Sequence, residues 1–277
     1  MLKTIARLKK SPWVFCLLAL LPWFSLQAEG RNQQQQQQQQ QPLQAVIMET
    51  EPWGFYHPQT GEPRGIWLDI ARELEQASGL EQSKHLVPYA RAIDALAHGS
   101  ADLSYLIRSS DRDAEVKHAG HLFYFGSVVQ ARKGIELQSY DDLQGLRIGV
   151  LQGIRLAPRF DQDEQLHKVR VRNYENMLAM LAGGRLDAVS GNSLSLAYLQ
   201  QQLQMQELIG DRLVLQVTPV SVQFSRQSQQ LEQVERIKKA VEHLREAGRI
   251  EAILDAWAGE LWRVDLDEQA DPSEQVP

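Results

Sequence analysis

Two stretches of this chain share one spacing. Tyr89, Leu96, Gly99 and Asp102 stand seven, three and three residues apart, and Tyr174, Leu181, Gly184 and Asp187 repeat those offsets. Each copy reads as a short amphipathic helix closed by glycine, then a strand that begins Asp-Leu-Ser or Asp-Ala-Val. A helix-Gly-Asp-strand unit that occurs twice implies two similar α/β lobes.

Only the chain beyond its leader contributes to that fold. Lys3, Arg7, Lys9 and Lys10 form a basic n-region, Trp13 to Leu21 an apolar h-region, and Leu26-Gln27-Ala28 or Ala28-Glu29-Gly30 a cleavage site. The apolar run is short for a membrane span, so residues 1–28 are read as a secretory signal peptide that is cleaved on export. Cys16, the sole cysteine, leaves with the signal, and with it any disulfide or thiol chemistry. So do four positive charges and no acid, which moves the formal balance from -6 to -10. A chain that acidic argues against binding nucleic acid or anionic lipid through a basic face. Residues 29–42, with glutamine unbroken from Gln33 to Gln41, have nothing to bury and are expected to be disordered. Residues 263–277, acidic and carrying Pro272, are expected to form a flexible tail.

From Leu43 the pattern alternates regularly. Leu43 to Met48 reads as a buried strand, Trp67 to Ser78 as a helix stopped by Gly79, and Lys84 to Val87 as a strand turned by Pro88 into the first copy of the repeat. The β-α-β-α-β order implies parallel strands with helical crossovers. His118 to Gln130 reads as a strand crossing between lobes. Leu146 to Leu151, a short helix opening near Arg155 or Leu156, Lys168 to Arg172, Tyr174 to Ala182 and Leu186 to Ser190 then give the same order again. Asn192 or Ser193 caps a further helix. Leu213 to Val217 and Val220 to Phe224 straddle Pro219 and return the chain to the first lobe. Leu231, Val234, Ile237, Val241 and Leu244 make one buried helical stripe, and Ile250 to Trp257 a last helix ending at Gly259. The lobes are expected at residues 43–127 with 219–262, and at 128–218.

Several motifs, taken in order, resemble the third family of bacterial extracellular solute-binding proteins, two-lobed periplasmic receptors of the type II class. They are Gly65 with Asp69, Val87-Pro88-Tyr89-Ala90-Arg91, Leu96-x-x-Gly99-x-x-Asp102, Ser110-Asp111-Arg112, Asp142-Leu143-x-Gly145-x-x-Ile148-Gly149-Val150-x-x-Gly153, Leu181-x-x-Gly184-Arg185-x-Asp187-Ala188 and Gly248-x-x-x-x-Ile253-x-x-x-Trp257. The resemblance implies two lobes, each a mostly parallel sheet flanked by helices, joined by two crossing strands. It also implies hinge closure over a small solute and presentation of the closed form to an inner-membrane ABC permease or, alternatively, a membrane sensor. A monomer without cofactor, metal or catalysis is expected. The alternative of a dehydratase for small acids on this fold would need a tuned acid or base in the cleft.

Loops at the carboxyl ends of strands line the cleft of such sheets. The Trp53 and Phe55 loop, Tyr105 to Arg112, Gly153 with Ile154 and Arg155, and Ser190 to Ser193 occupy these places. Arg112 matches the arginine with which the family grips a ligand carboxylate, a group that a guanidinium holds through two parallel charged hydrogen bonds. Arg91 and Arg108 are further candidates. Two departures stand beside that match. Asn192 occupies the place of the family's acid for the ligand ammonium, and Ile154 that of a hydroxyl residue. A neutral amide cannot neutralise a buried ammonium. Either another acid such as Asp69 or Glu51 substitutes, or the solute is a carboxylate other than a free α-amino acid.

Overall fold

The computed structural model describes residues 41–264. The expected signal peptide, nearly all of the glutamine-rich segment and the tail beyond Val264 lie outside the described residues. The chain runs β1 (Leu43–Met48), β2 (Phe55–Tyr56), β3 (Pro63–Arg64), α1 (Ile66–Ser78), β4 (Gln82–Val87), α2 (Tyr89–Ala97), β5 (Leu103–Ile107) and a long β6 (Val116–Arg132). It continues with β7 (Arg147–Leu151), α3 (Pro158–Gln162), β8 (His167–Val171), α4 (Tyr174–Ala182), β9 (Ala188–Asn192) and α5 (Ser193–Gln202). A second long strand, β10 (Ile209–Ser225), leads to α6 (Val234–Glu246) and α7 (Arg249–Ala258).

Eight strands are ordered β4-β1-β5-β10-β6-β9-β7-β8. β1 pairs in parallel with β4 and β5, and β7 in parallel with β8 and β9. The long β6 and β10 are antiparallel to each other and to β9 and β5. Read inward from either edge, the order is the same: second strand, first strand, third strand, crossing strand. The fold is therefore α/β and two-lobed, with a parallel half-sheet in each lobe and two strands passing between them.

The repeated residues explain why the two halves fold alike. Gly99 and Gly184 both adopt φ +69°, a left-handed conformation that glycine enters without a Cβ clash. Each directs the chain from helix to strand, and the aspartate three residues on secures the strand's register. The Asp102 carboxylate accepts the Gln44 backbone N–H at 2.7 Å, and the Asp187 carboxylate accepts that of Arg147 at 2.9 Å. The backbone N–H of each aspartate donates in return to the carbonyl of the same partner, at 2.8 and 2.9 Å. The first and third strands of each lobe thus start in register.

The second clip is also an ion pair, with Arg147 Nε and Nη2 donating to Asp187 at 2.8 and 2.7 Å. The Arg147 side chain and its backbone N–H together hold the Asp187 carboxyl down at about 2, against some opposition from desolvation. A depressed carboxyl stabilises the fold above its unfolded value near 4, and that contribution is lost as the pH falls through about 2. Because the arginine is 40 % exposed, solvent screening reduces the expected contribution to about 1 kcal/mol. Asp187→Asn should show a deficit of that size in denaturant titrations near neutral pH, shrinking in acid. A deficit that did not change with pH would contradict this account.

Trp53, Trp67 and Tyr105 stack in the first lobe, with ring centroids 4.9 and 5.6 Å apart, and Phe123 packs against both tryptophans. On α6, Val234, Ile237, Val241 and Leu244 are buried, with Ala240 beside them, while Leu231 packs at the edge of the core.

Two elements differ from the sequence expectation. β10 runs unbroken through Pro219, which sits opposite Tyr124. The Pro219 carbonyl accepts the Arg108 N–H at 2.9 Å, so the missing proline donor faces β5 just past its last residue and costs no ladder bond to β6. The helix expected near Arg155 is α3, five residues long, with Pro158 in its first turn where a proline lacks only an N–H that would have been unpaired. His118 and His121 lie on β6, in the stretch expected as a crossing strand. His118 is held by Asp113 and Ser221 at 2.8 and 3.0 Å.

Candidate functional site

The carboxyl ends of strands in both lobes, together with the crossing strands, enclose a cavity of about 720 Å³. The first lobe contributes Ile107, Arg108, Ser109 and Ser110 after β5. The second contributes Ile154 to Pro158 after β7, Asp161 and Gln162 on α3, Tyr174 at the start of α4 and Asn192 at the end of β9. Phe125 and Ser127 on β6 and Gln216 and Thr218 on β10 complete the lining. A second cavity, of about 1050 Å³, extends into the second lobe and shares Ile154, Arg155, Leu156, Asp161, Gln162 and Tyr174 with the first.

Local structure places these groups. Gly153, at φ +81°, turns the chain out of β7 into the loop that carries Ile154, which is exposed, and Arg155. Asn192 caps α5, its Oδ1 accepting the N–H groups of Leu194 and Ser195 at 3.0 Å each. The Tyr174 hydroxyl accepts the Asn192 backbone N–H at 3.1 Å, and burial pushes its pKa up to about 12. Gly191 leaves room for that ring, which a Cβ at this position would strike. Asp161 accepts the Leu156 N–H through both oxygens, at 3.2 and 3.1 Å, and so closes the loop between β7 and α3. Burial raises the Asp161 pKa, opposed by the Leu156 hydrogen bond and by the charges of Lys168 and Arg155.

Arg112 lines neither of the two larger cavities; it stands in the 3₁₀ turn Ser110–Arg112, directly after the cavity-lining Ser109 and Ser110. Its Nη2 donates to the Ile107 carbonyl, its Nη1 to the Tyr89 hydroxyl at 3.3 Å, and its Nε to Gln223 Oε1 at 3.4 Å. All three acceptors are neutral. A guanidinium has five N–H donors, so one remains uncommitted on each terminal nitrogen. Among the described residues Arg112 makes no ion pair, neither with Asp111 nor with Asp113 or Glu115.

The other candidates are dispersed. Trp53 is buried in the aromatic stack, with its indole N–H donating to Ser195 Oγ on α5 at 3.1 Å. Tyr105 is buried too, its hydroxyl donating to Gln82 Oε1 at 2.6 Å and its pKa raised by burial. Phe55 lines a separate cavity of about 290 Å³ with Glu51, Arg64, Tyr198 and Trp257. Arg91 is exposed on the first turn of α2 and lines neither of the two larger cavities. Of the acids considered as substitutes, Glu51 accepts the Tyr198 hydroxyl, and Asp69 accepts the Trp257 indole N–H at 2.8 Å and pairs with Arg72. Neither lines the cavity between the lobes.

Sequence reasoning did not single out Asp161, Gln162, Phe125, Ser127, Gln216 and Thr218. Ser127, Gln216 and Thr218 are legible only as polar interruptions near the midpoints of the crossing strands, where β6 and β10 pass the cavity, and Phe125 reads as one more apolar strand residue.

The model for bacterial extracellular solute-binding proteins, family 3, matches residues 44–260. No curated protein matches the chain. Among solved structures, an ancestral cationic amino acid solute binding protein is similar with TM-score 0.64 at 16% identity, over 78% of this chain and 95% of that one. The periplasmic VFT2 domain of Bordetella pertussis BvgS gives TM-score 0.60 at 19% identity, over 82% and 97%. The arginine-, lysine-, histidine-binding protein ArtJ of Geobacillus stearothermophilus gives 0.58 at 15%, over 80% and 96%. Identities this low speak for the fold alone. The family match spans nearly every described residue and both lobes, and on that ground the chain belongs to the bacterial extracellular solute-binding proteins of family 3.

Proposed function

We propose that this protein is a periplasmic receptor that closes its lobes over a small carboxylate-bearing solute, an amino acid or related organic acid, and delivers it to an inner-membrane ABC transporter. The observation that carries this reading is Arg112, a cation with two uncommitted N–H groups, hydrogen-bonded to the carbonyl of Ile107, which lines a cavity built from both lobes. A ligand favours closure only by contacting the closed form better than the open one, so groups on both lobes must reach it. Arg108 and Ser109 on one side and Arg155 and Asn192 on the other meet that requirement. The lobes divide where β6 and β10 pass the cavity, at residues 127/128 and 218/219. The receptor acts as a monomer and leaves its solute chemically unchanged.

The test is a thermal-shift screen of the purified protein against amino acids, small carboxylates, and amines of similar size without a carboxylate. A true ligand at a hundred times its dissociation constant adds about 2.7 kcal/mol to stability, and the solute should be recovered with unchanged mass. Equal stabilisation by the amines would remove the carboxylate from the reading. One similar structure is a periplasmic domain of a larger protein, BvgS, which favours a second reading in which a membrane sensor receives the closed form. Crosslinking of the liganded protein in membranes, followed by identification of the captured partner, separates the two.

A further inference from the structure

The donors and acceptors around the cavity do not suit an ammonium group. The Asn192 oxygen is occupied by two backbone N–H groups of α5, so the part of this amide left to face a ligand is its Nδ2, a donor only. The cap fixes that orientation, because the reversed amide would set an N–H against the helix N–H groups. The Tyr174 hydroxyl already accepts the Asn192 N–H and keeps its own proton to give. The Ile154 side chain offers no polar atom, and the Arg155 side chain beside it makes no hydrogen bond or ion pair among the described residues. Nor is the Arg108 side chain hydrogen-bonded or ion-paired.

Among the described residues Asp161 is the only acid that lines the cavity between the lobes, and both its oxygens are engaged by Leu156. Arg108 and Arg155 line the same cavity, and Arg112 is bonded to the carbonyl of the lining Ile107, so cations outnumber acids there. A zwitterion brings one negative and one positive group and leaves that surplus unchanged. A solute with two anionic groups neutralises it.

We infer that the solute is a dianion without an amine, a small dicarboxylate, with one carboxylate held from the first lobe by Arg112 and the second from the other lobe by Arg155, Asn192 Nδ2 and the Tyr174 hydroxyl. This rests on the reading of the cleft as a carboxylate site and narrows its substrate class. It also assigns Arg155 a role in specificity. An anion gripped from both lobes makes closure depend on having two charged ends, so a monocarboxylate of equal length would close the lobes poorly.

The test compares three five-carbon probes by calorimetry: glutarate, with two carboxylates; pentanoate, with one; and glutamate, which adds an amine to glutarate. Glutarate should bind about tenfold or more tightly than either, since each comparison removes or opposes a charged hydrogen bond. Arg155→Gln should reduce the preference for glutarate over pentanoate to near unity. Asn192→Asp, which keeps a good helix cap and so should fold, is expected to reverse the preference toward glutamate. Glutamate binding as well as glutarate, or a glutarate preference unaffected by Arg155→Gln, would overturn the dianion. If glutamate or glutamine binds best and Arg112→Ala abolishes it, the dianion fails while the carboxylate reading stands. If no acid binds, both fall.

Discussion

Trp53→Ala should lower the unfolding free energy by about 3–5 kcal/mol, the range for truncating a buried aromatic side chain in a packed core. The indole lies 4.9 Å from Trp67 and near-parallel to Phe123 at 6.4 Å, so its removal leaves one face of each ring without a neighbour. It also removes the donor to Ser195, which ties α5 to the first-lobe core. Trp53→Phe keeps most of the stacking and loses the N–H, and should cost about 1 kcal/mol from the hydrogen bond together with some packing. Denaturant unfolding of the two variants gives these values directly. If Trp53→Ala leaves stability intact and weakens ligand binding, the residue belongs to the site and not to the core.

Arg112→Ala should weaken a carboxylate ligand by about a hundredfold or more, because two charge-assisted hydrogen bonds at about 1.5–3 kcal/mol each are lost together. Arg112→Lys retains the charge without the planar fork and should fall between the two. Removing Arg112 takes the donor from the buried Gln223 Oε1 and two bonds from more exposed acceptors, so it should lower stability by about 1–3 kcal/mol and leave the protein folded. Calorimetric titration separates the effects: unchanged affinity in a folded Arg112→Ala protein would exclude the guanidinium from the site.

The repeat was legible because its residues answer backbone requirements. A left-handed turn calls for glycine, and a strand start with an unpaired N–H calls for a nearby carboxylate; Gly99 with Asp102 and Gly184 with Asp187 satisfy both at fixed offsets. Trp53 and Tyr105 were less legible. An aromatic residue at a strand's carboxyl end either packs or meets a ligand, and the burial of Trp53 depends on α5, from the other lobe, bringing Ser195 to its N–H. Asp161 and Gln162 lay on a helix too short to show periodicity. The cleft's own loops were easier to read, since Gly153, Ile154, Arg155 and Asn192 directly follow or close strands whose apolar runs are plain.

Tyr89 and Tyr174 stand at matching posts of the duplicated unit, each reaching over the strand end that follows it. One hydroxyl meets the guanidinium of Arg112, the other the main chain of Asn192. A chamber framed by twin halves has no inherent head or tail. Which way round an unequal guest settles is therefore decided by what the copies no longer share, so transplanting residues from one post to the other is a route to inverting its orientation.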